Sequence, residues 1–311
     1  MMGSRSSFNS QGGRRPDCHR VRLKAKGRIV MRARTYFALS AVLALLWPSI
    51  VSAGSERHDA IVQYDNVTIG VVVEGRGPAV VVLPSLARDS DDYGPMAETL
   101  AKAGFMVLRP APRGIGRSVG PMTNISLHDF ARDTAEVIKA LGDGKAIVVG
   151  HAYGNWVARM TATDYPDLVR GVVLAAAAAK SLPQILSEMV IRSADPAVPK
   201  EDRLAALQFA FFASGNDPKV WLDGWHKEAG VAQRAAAAST KQSEWWAGGK
   251  APLLDLQAEQ DPFKPVDTRN ELKAEFGDRV TIELIPNASH ALLPEQPVAV
   301  AAAIAAWIGK L

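Results

Sequence analysis

At 311 residues, with 48% hydrophobic and 22% charged positions, the chain has ample material for a buried core and is neither disordered nor fibrous in composition. Its net charge of +4 is unevenly spread: ten Lys or Arg precede Gly54 against one acid, Asp17, so that segment carries +9 and the remainder −5. The body therefore lacks a basic surface, and no nucleic-acid partner is expected.

Arg32 and Arg34 precede an apolar run, 37–47, and Val51-Ser52-Ala53 offers a small-residue cleavage site. This predicts a secretory signal cleaved after Ala53 and an exported, periplasmic or secreted, protein. The run is about half the ~20 residues a spanning helix needs, so an uncleaved anchor over 37–51 is the alternative. No stable membrane anchor is expected once the signal is removed. Met31 opens such a signal by itself, which marks 1–30 as a possible mis-called start. The one cysteine, Cys18, falls in that segment, so the mature chain, 54–311, is expected to have no disulfide and no thiolate chemistry.

From residue 60 the pattern is strand-rich. Strands are predicted over 60–64 and 67–74, with Asp65-Asn66 as their turn, and over the apolar run 79–83. A helix over 93–103 closes at Gly104, and a strand follows at 105–108. The glycine-punctuated loop 113–118 leads to a helix at 127–141. Further strands are predicted at 168–175, 253–257 and 280–285, with helices near 266–276 and 297–309. Strands alternating with helices at this spacing predict an α/β fold, a doubly wound and mostly parallel sheet. The rhythm is interrupted over 181–249, which is helically patterned at 202–212 and 220–227 and rich in Phe and Trp. This stretch is expected to be a helical lid inserted over the sheet.

The centre of the chain is Ile147-Val-Val-Gly-His-Ala-Tyr-Gly-Asn155. A β-branched run stops at Gly150, a second glycine stands at Gly154, and a helix-forming stretch begins at once. Strand, tight turn and helix with bracketing glycines are the geometry of a nucleophile elbow. The glycines allow strand and helix to approach closely, and the central residue takes a strained backbone conformation. In the G-x-S-x-G form that residue is the attacking serine. Here it is Ala152.

Four motifs in order carry a resemblance. The elbow is one; Arg113-Gly-Ile-Gly-Arg-Ser118 resembles an R-G-x-G-x-S turn after the fourth strand. Ala258-Glu259-Gln260-Asp261-Pro262, following a buried strand, resembles a G-x-x-D acid turn, and Ser289-His290 resembles a G-H histidine loop. Over 60–311 the chain resembles the α/β-hydrolase fold superfamily in its lidded, lipase/esterase-like form. The resemblance implies His290 as general base and Asp261 as the carboxylate that orients it, with Glu259 as the rival acid. It implies the Tyr153 N–H as one oxyanion donor. The second would come from the loop after strand 79–83, where Pro84-Ser85 replaces the usual His-Gly and leaves the Leu86 N–H as donor. His151 and the insertion's Trp221, Trp225 and Trp245 are candidate substrate-binding residues. No cofactor is implied, and no metal-ligand spacing or phosphate loop occurs.

Ala152 leaves three readings open. Ser85 lies on a loop facing the elbow and is a candidate displaced nucleophile, although turn serines commonly bond their own backbone. Alternatively, the absent hydroxyl leaves room for a water that His290 activates, or for proton abstraction from substrate in a lyase-like reaction. The third reading is a pocket that binds without turnover, in a sensing protein or an engineered knockout. The expectation adopted is a hydrolase of small or medium apolar esters or related carbonyl compounds, with a small-molecule substrate as partner.

Overall fold

A computed structural model describes residues 56–181 and 183–311. The expected signal, its alternative anchor and Cys18 all lie outside the described residues. Eight strands form one sheet in the order β1-β2-β4-β3-β5-β6-β7-β8. β1 (Arg57–Tyr64) and β2 (Val67–Glu74) make an antiparallel hairpin, and β2 also runs antiparallel to β4 (Met106–Pro110). From β4 onward the sheet is parallel, through β3 (Ala79–Leu83), β5 (Ala146–His151), β6 (Val169–Ala175), β7 (Leu253–Ala258) and β8 (Val280–Ile285).

The central strands read as continuous apolar runs because both their faces are covered. Val81, Leu83, Val148, Val172 and Leu174 point into one core, while Val80, Val82, Ile147, Val149, Val173 and Leu254 point into the other. The first core is closed by α2 (Leu127–Leu141) and α3 (Tyr153–Asp164), through Phe130, Ile138, Val157 and Met160. The second is closed by α1 (Gly94–Lys102), through Met96 and Leu100. The C-terminal helix Pro297–Ile308 covers the same face through Val300, Ile304 and Trp307. Each fully buried Val or Leu contributes roughly 1.5–3 kcal/mol. The helix ends follow local rules: Asp129 accepts the Ser126 N–H at 2.9 Å ahead of α2, and the C-terminal helix opens on a proline.

Between β6 and β7 the chain leaves the sheet and forms α4 (Gln184–Ala194), α5 (Lys200–Ala210), α6 (Lys227–Ser239) and the short α7 (Gln242–Trp245). These helices have a small core of their own around Leu186, Leu207, Phe211, Phe212 and Trp221, into which Phe263 and Ala291 of the sheet-side loops also pack. The helix expected over 220–227 is not there. A single 3-10 turn, Pro218–Trp221, is followed by Gly224 at φ +79, a left-handed conformation that ends helical propagation. The bend sets Trp221 and Trp225 edge to face at 6.1 Å, with the Arg88 guanidinium against both, 4.8 and 4.9 Å from their ring centres. The helix expected near 266–276 divides into a 3-10 turn, Val266–Thr268, and α8 (Glu271–Phe276). The short helix α9 (Leu292–Glu295) follows β8, and the C-terminal helix is therefore α10.

Parallel strands end on the same edge, and the loops leaving them converge there. Leu83 stands opposite Gly150, His151 opposite Ala175, and Ala258 opposite Ile285. The segments beginning at Pro84, Ala152, Glu259 and Pro286 consequently leave one edge of the sheet together.

Candidate active site

The elbow is built by exclusion of side chains. A Cβ on Gly150 would stand 2.3 Å from the Gly154 carbonyl oxygen, and one on Gly154 would stand 2.4 Å from the Leu83 carbonyl oxygen. Both neighbours are backbone and cannot yield. Between the glycines, Ala152 sits at φ +48, ψ −113, where a side chain is strained by about 1–3 kcal/mol. Its N–H donates to Ala175 O at 3.0 Å, and its own carbonyl accepts from the Asn155 N–H and side-chain amide. The elbow geometry is thus complete around a methyl group.

His290 follows β8 and is 5% exposed. Its Nδ1 lies 3.0 and 3.1 Å from the two oxygens of Asp261, which is itself 4% exposed and also accepts the Phe263 N–H at 2.8 Å. An ionised carboxylate only accepts, so Nδ1 carries the hydrogen and Nε2 is left as the basic edge of the ring. Nε2 has no hydrogen-bond partner among the described residues. The Phe263 ring stacks on the imidazole at 3.9 Å and 23°, fixing its plane. Glu259, the rival acid, is exposed and accepts from Asn287 N instead.

The loop after β3 is held from both sides. The Ser85 N–H donates to Tyr93 Oη at 2.9 Å, and the Ala87 N–H donates to Gln233 Oε1 of α6 at 2.7 Å. Arg88, buried against the two tryptophans, pairs with Asp92 at 2.7 Å and donates to Asp223 O at 2.6 Å. The Leu86 N–H has no acceptor among the described residues. Neither has the Tyr153 N–H, which opens α3 where no intrahelical acceptor exists.

These groups meet in a cavity of about 380 Å³. Ser85, Leu86, Ala152, Tyr153 and His290 line one side; Trp156 and Phe263 flank them, and the insertion supplies Val190, Ile191, Phe211 and Trp225 opposite. Ser85 makes no hydrogen bond to His290. Among the described residues no His, Cys, Asp and Glu side chains group as a metal site.

Three candidate binding residues fall elsewhere. Trp221 is 1% exposed and packs within the insertion's core against Phe211 and Phe212. Trp245 stacks on Trp156 at 5.2 Å and lines a neighbouring cleft. His151 is fully buried behind the cavity wall: Tyr93 Oη lies 2.9 Å from its Nδ1 and His290 O 2.7 Å from its Nε2. Of the named insertion tryptophans, Trp225 lines the cavity. Tyr93, Phe263 and Arg234 belong to the site's surroundings and carry no motif in the sequence. Phe263, two residues after Asp261, was the most readable of them.

A family model described as alpha/beta hydrolase fold matches residues 78–240, more than half of the chain. Among curated relatives, the 2-(acetamidomethylene)succinate hydrolase of Mesorhizobium japonicum is 34% identical over 112 residues, 36% of this chain and 40% of that protein. The soluble epoxide hydrolase of a Corynebacterium species is 35% identical over 113 residues, 36% of this chain and 38% of that protein. The matched stretch spans less than half the length of either. The crystal structure of E-2-(acetamidomethylene)succinate hydrolase is similar with a TM-score of 0.63 at 22% identity, covering 82% of this chain and all 100% of that one. An esterase from Exiguobacterium antarcticum gives a TM-score of 0.65 at 17% identity, over 81% and 100% of the two chains. At such identities the likeness is one of fold.

Proposed function

The chain belongs to the alpha/beta hydrolase family, and from that premise we propose that it hydrolyses a small or medium carbonyl ester by direct attack of a water activated by His290. The observation that carries this reading is the pairing of an intact His290–Asp261 couple, Nε2 turned toward the cavity, with a methyl group where the family's nucleophile belongs. Beside Ala152 the cavity has room for a water, and Ser85 stands out of hydrogen-bonding reach of the imidazole. The insertion would act as the lid of this site.

In this mechanism His290 Nε2 takes a proton as the water oxygen bonds to the carbonyl carbon. Asp261 holds the imidazolium that forms. The carbonyl oxygen takes up the electron pair and accepts hydrogen bonds from the Tyr153 and Leu86 N–H groups. Collapse of the tetrahedral species breaks the bond to the leaving alkoxide, which receives the proton from His290. No covalent acyl-enzyme forms, so the two-step advantage of nucleophilic catalysis is absent.

A fluorophosphonate probe, which labels activated serines, separates this from attack by Ser85. The native chain should remain unlabelled, Ser85→Ala should keep most of the turnover, and Ala152→Ser should become labelled. Labelling of the native chain at Ser85 would replace water with that hydroxyl. The leader supports export with cleavage after Ala53; the intact mass of the mature protein from the producing cell tests that.

A further inference from the structure

Arg234, on α6, lines the cavity that holds His290, and among the side chains of that wall its guanidinium is the permanent charge. It makes no ion pair or hydrogen bond among the described residues. Two other arginines of the insertion are engaged: Arg192 pairs with Asp202 at 2.8 Å, and Arg203 donates to Ser193 O at 3.0 Å. Arg234 also lines a second cavity of about 110 Å³, which shares Ile191 and Trp225 with the first. The two spaces therefore meet at these three side chains. Lys227 lines the second one, again without a carboxylate within ion-pair distance among the described residues. Asp195 is the carboxylate of that wall; it accepts the Ala197 N–H at 3.0 Å and lies beyond ion-pair distance of Arg234 and Lys227.

The Arg234 guanidinium lies beside Gly230 of the same helix. A Cβ built on Gly230, one turn earlier on α6, would lie 3.7 Å from Arg234 Nη1 and 2.8 Å from the Ala87 Cβ. The arginine thus folds back along its helix toward the loop that carries Leu86, the expected oxyanion donor. Arg234 is exposed at the edge of the cavity and has no counter-ion within ion-pair distance among the described residues, so its charge is open to an anionic ligand group and screened by salt. A single planar guanidinium fork matches the two oxygens of a carboxylate.

Resting on the hydrolytic reading above, we propose that the substrate is a carbonyl ester whose far end carries a carboxylate, and that Arg234 binds that carboxylate at the junction of the two cavities. The apolar chain between ester and carboxylate would lie along Ile191 and Trp225. Arg234 is a specificity-determining residue in this account and takes no part in bond making.

The test uses the full chain with monoethyl half-esters of linear dicarboxylic acids beside ethyl esters of monocarboxylic acids of equal length. The ratio of kcat/KM, half-ester over neutral ester, should favour the half-ester by about tenfold or more and fall toward unity in Arg234→Gln. Arg234→Lys should retain part of the preference, and added salt should reduce it. Equal kcat/KM for the two series, or a preference unchanged in Arg234→Gln, overturns the proposal. If no ester is turned over, the hydrolytic reading fails separately, and calorimetric titration with adipate and suberate decides the subsite. Binding that Arg234→Gln abolishes keeps the anion site, and no binding, or binding that the variant retains, removes it.

Discussion

His151 donates from Nε2 to the carbonyl oxygen of His290 at 2.7 Å, so the residue preceding the elbow centre holds the loop that presents the histidine. The direction of donation is set by the chain behind it. The Ser85 N–H donates to Tyr93 Oη at 2.9 Å, which leaves the phenol to donate to Nδ1 of His151. A single neutral tautomer satisfies every partner, and it ties the loops after β3, β5 and β8 together.

That requirement gives a pH dependence. Burial, and then the charge of His290, lower the His151 pKa from 6.5 to about 3. The unfolded chain therefore binds a proton that the folded chain refuses, and this stability is lost as pH falls below about 6.5 toward about 3, by at most ~1.4 kcal/mol per pH unit. Urea unfolding of the native chain and of His151→Gln, at about pH 7 and about pH 5, should show a smaller drop in the variant. An equal drop would mean that His151 is not the group responsible.

The elbow should tolerate no side chain at its glycines. Gly150→Ala drives a methyl group to within 2.3 Å of a carbonyl oxygen that belongs to packed backbone. The expected loss is about 3 kcal/mol or more, read from the urea midpoint.

At the centre of the elbow the opposite holds. Ala152→Gly relieves a side chain at φ +48 and removes only a methyl that borders the cavity. Stability should rise by about 1 kcal/mol in the same assay. A loss of stability would show that the elbow is not strained.

Arg88→Met tests how the insertion is joined to the loop after β3. The substitution removes the stacking on Trp221 and Trp225 and leaves Asp92 unpaired in a site where burial already raises its pKa against the pull of Arg88. The cost should be roughly 2–3 kcal/mol. Turnover should fall with it, because the same loop presents Leu86.

The sheet was readable because its central strands are continuous apolar runs, and the elbow because Gly150 and Gly154 punctuate one of them. Asp261 and His290 were readable from their positions after β7 and β8, and the structure brings them within hydrogen-bonding distance. The insertion was less legible. Its aromatic residues look alike in sequence, yet Trp221 fills its core, Trp245 stacks on Trp156, and Trp225 reaches the cavity. Gly224 turns the chain between Trp221 and Trp225, and the cations they meet, Arg88 for these two and Arg159 for Trp245, are distant in sequence. Tyr93 is similarly silent, because its role arises from contacts with Ser85 and His151.

The most direct measurement is turnover of a panel of short and medium acyl esters by the native chain and by His290→Ala. The account predicts hydrolysis that falls by about 10²–10⁴-fold in the variant, as expected for removal of a general base. Hydrolysis that persists undiminished in His290→Ala would contradict it.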